Sequence, residues 1–268
     1  MHLKRWITGL VALPVLIFLV YKGSFLFTIL ISLAGLVALW EYYRIVFNSE
    51  VRPISRIILY RGYGIGFALI WSTFLAGPDL TLSVIGLNLL VVALISLFQF
   101  KTDPTVLEVI IRQLQGLIYI PLLLSFLILI RAGSSGMIWI FLLLAVIFAG
   151  DTSAYYVGSY LGRHKLSPAV IPGKTIEGSI GGLAANLVVG AIGKYFFLPE
   201  IPWGLCLLFF IVVGVAGQVG DLFESELKRS SGIKDSGGIL PGHGGILDRI
   251  DALLFASPVA YVFIRYVI

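Results

Sequence analysis

Residues 203–251 read WGLCLLFFIVVGVAGQVGDLFESELKRSSGIKDSGGILPGHGGILDRID. The first eighteen, Trp203–Gly220, carry no charged side chain, whereas ten charged residues follow between Asp221 and Asp251. An apolar run of this length reads as a membrane-crossing helix. The helix continues into the charged part, because Asp221, Glu224, Ser225 and Lys228 at i, i+3, i+4 and i+7 share one face, with Glu224 in reach of Lys228. It should end after Ser231-Gly232. Residues 232–245 hold six glycines and Pro241, a composition that lets backbone N–H groups approach an anion. A further helix starts with Asp248, Arg249 and Asp251, and its first and last aspartates share a face. A hairpin of the two helices brings Asp221 and Asp248 together near the membrane–water boundary.

The rest of the chain has the same character. Of 268 residues, 59% are hydrophobic and 12% charged, and mean hydropathy is +1.01. An ordinary soluble domain has about 25% charged residues, and its exterior must be wettable. A soluble enzyme, a nucleic-acid-binding domain and a disordered chain are excluded. One cysteine, Cys206, excludes a disulfide scaffold. Apolar runs of about 20 residues favour helices over a β-barrel. The expected fold is therefore all-α: a polytopic integral membrane protein of nine spans near 6–22, 24–46, 57–77, 81–100, 113–131, 137–161, 176–198, 203–229 and 247–267. A short interfacial helix is expected at 105–112. Lys4 and Arg5 before the first apolar run resemble a signal sequence, but no small-x-small cleavage site follows, so the run reads as an uncleaved first helix.

With the N-terminus cytoplasmic, fifteen lysines and arginines fall on the inner side and only Lys22, Arg131, Lys194 and Arg265 on the outer. This is a positive-inside bias that also accounts for the net charge of +5 without a nucleic-acid partner. Short loops leave one membrane domain, 1–268. Within it, 1–131 supply N-terminal helices as a scaffold or dimer part. Residues 137–268 supply the catalytic helices, with cytoplasmic loops 163–175 and 231–246.

Nine of the fourteen acidic residues lie after residue 150. Ionisable groups beside apolar helices are costly and usually functional. Clustered carboxylates with lysine and arginine suit a phosphate substrate held with magnesium, which takes few carboxylates and leaves positions for phosphate and water. A glycine-rich loop between charged helix ends is the plain alternative.

The pattern Ser225-x-Leu227-Lys228-Arg229, then Lys234-Asp235, then Pro241-x-His243-Gly244-Gly245-x-x-Asp248-Arg249-Ile250-Asp251 resembles the signature of the phosphatidate cytidylyltransferase (CDP-diacylglycerol synthase) family. The chain length and multi-span hydropathy fit that family too. The resemblance implies that CTP and phosphatidate give CDP-diacylglycerol and pyrophosphate, and it suggests a homodimer in a bilayer. Asp221 and Asp248 are expected to hold Mg2+, with Asp251 next in line and room for a second metal ion. Lys228, Arg229, Lys234 and Arg249 are expected on phosphates, with Asp235 beside them. His243 reads as a donor to phosphate or the leaving group rather than an obligatory base. Ser225, Gly244 and Gly245 are expected to contact substrate.

Two more segments support this reading. Asp151 and Tyr155 lie one turn apart in Asp151-x-x-Ala154-Tyr155-x-x-Gly158, a stretch similar to one in the same family; Asp151 could equally be a buried polar pin. Gly158 and Gly162 suit close helix packing. Pro172-Gly173-Lys174-Thr175-Ile176-Glu177-Gly178 opens the seventh helix, with Thr175 as N-cap, Glu177 at the positive helix end and Lys174 placed for phosphate. Gly173-Lys174-Thr175 resembles the end of a Walker loop, but Pro168 stands where its first glycine is needed and no strand is expected before it.

His164 reads as a solvated loop residue. Trp6, Trp40, Trp139 and Trp203 read as interfacial anchors, and Asn186 as an interhelical hydrogen bond. The rival functions are a CTP-dependent transferase or kinase acting on another membrane lipid, and a transporter of a phosphorylated solute. The transporter expects an internal repeat and broken mid-span helices, which the sequence lacks.

Overall fold

The computed structural model describes residues 13–47, 56–233, 236–238 and 244–268. In chain order they form α1 (Leu13–Lys22), α2 (Ser24–Val46), α3 (Arg56–Gln99), α4 (Val106–Leu117), a π turn (Ile118–Leu122), α5 (Leu123–Ala132) and α6 (Gly136–Leu161). Strands β1 (Lys165–Ser167) and β2 (Ile171–Thr175) follow, then α7 (Ile176–Phe197), α8 (Trp203–Ser230) and α9 (Leu247–Tyr266). Among the described residues, six helical stretches are long and apolar enough to cross a membrane. Leu97 and Phe98 are 75% and 83% exposed, an outward apolar surface that suits lipid and would be costly in water. The chain is an all-α polytopic membrane protein, with one small hairpin of strands among the described residues.

Helix α3, at 44 residues, would be about 66 Å long if straight, against a hydrocarbon core of about 30 Å. It breaks at Gly77, whose φ of 70° and ψ of −157° are not helical, just before Pro78. The hydroxyls of Thr73 and Thr81 lie 2.7 Å apart, and Ser72 Oγ donates to Thr81 at 3.2 Å. Eight residues of straight helix would separate the two threonines by about 12 Å, so the chain folds back here. The two halves cover the segments expected at 57–77 and 81–100.

Two local expectations change. The short helix expected at 105–112 is instead the start of a continuous stretch, Val106–Ala132. Nothing breaks it before Pro121, and the π turn absorbs the missing proline N–H. The loop before α7 holds an antiparallel strand pair, Lys165 opposite Thr175 and Ser167 opposite Ile171, so the expectation of no strand beside Gly173-Lys174-Thr175 was wrong. Ile171 and Thr175 favour extended backbone, and Val170 N–H closes the turn on Ser167 O at 3.2 Å.

The chain divides into two compact units. One takes in the residues up to Leu129 with 235–247; the other takes in Ile130–Lys234 with Asp248–Ile268. In the first unit, Leu39, Tyr42, Ile45, Leu69, Ile70, Ile120 and Leu124 form the core. Tyr42 donates to Arg112 O at 3.1 Å, and Arg112 donates to Val46 O at 2.8 Å, tying α2 to α4.

In the second unit, α6 and α7 meet along small residues. A Cβ on Gly178 would lie 2.7 Å from Ala154 O, and one on Gly182 would lie 2.9 Å from Gly150 O. The two backbones touch as the glycine spacing predicts. Asn186 is wedged between Gly150 and Gly214, buried, and its Oδ1 has no hydrogen-bond partner among the described residues. The interhelical bond expected of that oxygen is not made. Helices α8 and α9 run antiparallel, with Phe209 on Phe263 at 5.5 Å and Phe223 on Phe255 at 5.4 Å. Trp139 is 3% exposed and packs on Phe209 at 5.2 Å. It is a core residue rather than an interfacial anchor. Trp40 and Trp203 are exposed and lie under Arg44 and Lys194. Trp6 is outside the described residues.

Candidate functional site

The second unit contains a partly open cavity of about 560 Å³ lined by residues from several elements. Helix α6 contributes Asp151, Ala154, Tyr155 and Gly158 from one face, since these positions repeat at i, i+3, i+4 and i+7. Strand β2 and the start of α7 contribute Gly173, Lys174, Thr175, Gly178 and Ser179. Helix α8 contributes Gln218 and Asp221, one turn apart, and α9 contributes Asp248, Arg249 and Asp251.

The local chemistry explains how these side chains are held. Thr175 caps α7: its hydroxyl accepts from Gly178 N at 3.1 Å, as its position before the helix predicts. That cap fixes the strand-to-helix turn carrying Lys174, whose ammonium lies 2.5 Å from Asp221 Oδ2. Gly220 allows α8 and α9 to touch, because a Cβ there would lie 2.5 Å from Asp251 O. The aspartates that flank this contact, Asp221 and Asp251, therefore both face the cavity. Lys228 sits between Glu224 at 2.5 Å and Asp248 at 2.8 Å, with Glu224 1% exposed. Asp151 is within the electrostatic reach of Asp221, Lys174 and Arg249.

Of the residues expected from the sequence, Asp151, Lys174, Thr175, Asp221, Asp248, Arg249 and Asp251 line the cavity. Lys228 stands beside it on Asp248. Arg229 Nε donates to Val170 O at 3.3 Å, tying the end of α8 to the hairpin turn. Ser225 is half-buried and does not line the cavity. Glu177 accepts from the backbone N–H groups of Arg163 and His164 and pairs with His164 Nδ1 at 2.6 Å, so it clasps the turn after α6. Gly244 and Gly245 fall in the first unit. Lys234, Asp235 and His243 lie outside the described residues.

Sequence reasoning missed Gln218 and Ser179, which hold each other across α7 and α8: Ser179 Oγ donates to Gln218 Oε1, and Gln218 Nε2 donates to Ser179 O at 3.0 Å. Position alone could have found Gln218, three residues before Asp221 on the same face.

Four carboxylates against two cations leave the lining with an excess of negative charge. Such a surface repels a polyanion unless cations accompany it. Among the described residues, no three His, Cys, Asp or Glu side chains are arranged to enclose a metal ion by themselves. The donor set instead suits a hard cation held by one or two carboxylates, with the substrate's own phosphates completing the shell.

The fold and the cavity together define the class: a polytopic helical membrane protein with a charged cavity of aspartates, lysine and arginine among its apolar helices. The chain belongs to the cytidylyltransferase family, whose model matches residues 3–267. It is 38% identical over 266 residues to the phosphatidate cytidylyltransferase of Bacillus subtilis (strain 168), covering 96% of both chains. It is 33% identical to that of Staphylococcus aureus (strain COL) over 95% of both. A third relative, from Staphylococcus saprophyticus, is 44% identical over 135 residues, covering 50% of this chain and 52% of that one.

Proposed function

We propose that this protein joins CTP to phosphatidate, releasing pyrophosphate and leaving CDP-diacylglycerol in the membrane. The observation that carries the reading is the cavity in which Asp151, Asp221, Asp248 and Asp251 meet Lys174 and Arg249 among apolar helices. Relatives named phosphatidate cytidylyltransferase match nearly the whole chain, which supports the same conclusion. An oxygen of the phosphatidate phosphate attacks the α-phosphorus of CTP. The bond from that phosphorus to the bridging oxygen breaks, and pyrophosphate leaves with the electron pair. A phosphomonoester has a second pKa of about 6, so the nucleophile is already an anion near neutral pH and needs no obligatory base.

The main obstacle is bringing two polyanions together, and the residues act on that. Lys174 and Arg249 bind phosphate oxygens inside the cavity, and Lys228 and Arg229 add positive charge beside it; Lys234, which belongs to the same family pattern, is expected on phosphate as well. His243 donates a hydrogen bond to phosphate or to the leaving group. Thr175 fixes the turn that carries Lys174, Glu177 clasps the turn after α6, and Asp151 faces the same cavity. Asp221 and Asp248 would hold Mg2+, with Asp251 next and a second ion in reach of the same set. Bound there, the metal would offset the excess of carboxylates and polarise the phosphates.

The chain crosses the cytoplasmic membrane of a bacterium nine times, with its N-terminus and the cavity on the cytoplasmic side, and works as a homodimer. The deciding measurement is pyrophosphate release by the purified protein from CTP and phosphatidate, with magnesium and after chelation. Release only with phosphatidate and magnesium is expected. Release with a different lipid phosphate alone would reassign the acceptor, and none with any lipid would sink the reading. A thiol label at the exposed Gly238, where a side chain meets open space, should react from the cytoplasmic side only; labelling of intact cells from outside would reverse the orientation.

A further inference from the structure

Helix α2 carries an acidic residue in an otherwise apolar setting. Glu41 is 0% exposed, and burying a carboxylate is costly unless its oxygens are satisfied. Its partners come from residues about two hundred positions later. Oε2 accepts from Leu247 N at 2.7 Å and from Ser236 Oγ at 3.3 Å, and Oε1 accepts from Ile246 N at 3.1 Å. Leu247 is the first residue of α9. The carboxylate therefore caps that helix from a distant part of the chain, occupying amide groups that have no partner inside the helix and placing negative charge at its positive end.

The glycines of the same stretch fit around this group. A Cβ on Gly237 would lie 2.4 Å from Glu41 Oε1, and one on Gly245 would lie 2.6 Å from it. A side chain at either position would force the carboxylate and the loop apart by a shift of one or the other. Ser236, Gly237 and Gly245–Leu247 thus close around one acceptor, and the next residue in the chain is Asp248, which lines the cavity.

We propose that Glu41 is a positioning residue for the reaction. By holding both ends of the glycine-rich loop and the first amide of α9, it fixes the backbone from which Asp248 and Arg249 project. Glutamate suits the role because a carboxylate only accepts hydrogen bonds, and all the described donors point at it. Glutamine would turn an N–H toward an N–H.

The inference rests on the proposed reaction for its kinetic arm, and on hydrogen exchange for an arm independent of the reaction. In Glu41→Gln, amide exchange within 236–247 should rise by at least about tenfold, while the helices of the second unit keep their protection. At saturating CTP, kcat should fall by about 10- to 100-fold with KM for CTP within about threefold, the size of effect a small misplacement of reacting groups produces. Gly237→Ala should reproduce both changes from the loop side, and it serves as the test if Glu41→Gln does not extract as folded protein. Unchanged exchange within 236–247 would overturn the clamp. Raised exchange with an unaltered kcat would overturn its catalytic role. If the unmodified protein shows no CTP turnover, the proposed reaction fails, while the exchange result still decides whether Glu41 holds the loop.

Discussion

Two buried glutamates, one in each unit, solve the same problem differently. Glu41 in α2 and Glu224 in α8 are 0% and 1% exposed on apolar helices. Glu41 is satisfied by backbone amides and a hydroxyl from a loop. Glu224 lies 2.5 Å from the ammonium of Lys228, one turn along its own helix, and Lys228 passes the contact on to Asp248. The first arrangement fixes backbone and the second fixes charge. A carboxylate held by amides is specific for loop conformation. One held by a lysine is specific for the position of a second carboxylate, because the lysine must serve both.

The comparison can be broken most sharply at the shared end of the second chain of contacts. Asp248→Asn removes a carboxylate from the cavity and half the support of Lys228. Turnover should fall by on the order of 10³-fold or more while the protein still inserts and extracts normally. Activity near that of the unmodified protein would take Asp248 out of the site.

Lys228→Ala tests the charge arrangement itself. It strands Glu224, and breaking a buried pair by removing one partner costs about 3–5 kcal/mol. The protein should melt at a clearly lower temperature in detergent, and Glu224→Gln in the same chain should restore most of the loss. A variant as stable as the parent would mean that Glu224 carries no buried charge needing compensation.

The smallest effect is expected at a third glutamate, which sharpens the contrast by exposure. Glu177 pairs with His164, whose side chain is 74% exposed, and exposed pairs are screened by water and salt. His164→Gln should leave the melting temperature unchanged within error, and added salt should not separate the two proteins. A marked loss of stability would show that the turn after α6 depends on the imidazole as well as on the two backbone bonds to Glu177.

Much of the molecule was legible in the chain. Hydropathy marked the spans because a bilayer demands long apolar helices whose backbone groups bond internally. The pair Glu224–Lys228, the cap at Thr175 and the glycine faces of α6 and α7 could be read from local spacing, since helix geometry alone decides which neighbours meet. The meeting of Asp221 with Asp248 followed from expecting two helices joined by a short loop. The strand pair at 165–175 was not legible, because three- and five-residue strands give too little periodicity to distinguish from a loop. Trp139 was misread because position in a span says how deep a tryptophan lies, and only packing against Phe209 says that it faces inward.

The sequence by itself determined that this is a polytopic helical membrane protein with most of its acidic residues gathered in its C-terminal half. Composition and local spacing are properties of the chain, and they suffice for that. Tertiary structure alone decided the long-range pairs: Lys174 goes to Asp221, 47 positions further along the chain, and Lys228 reaches Asp248 as well as its helical neighbour Glu224. It alone gave Glu41 a purpose. A buried carboxylate needs donors, and hydrogen bonds form between groups that are close in space, however far apart the chain puts them.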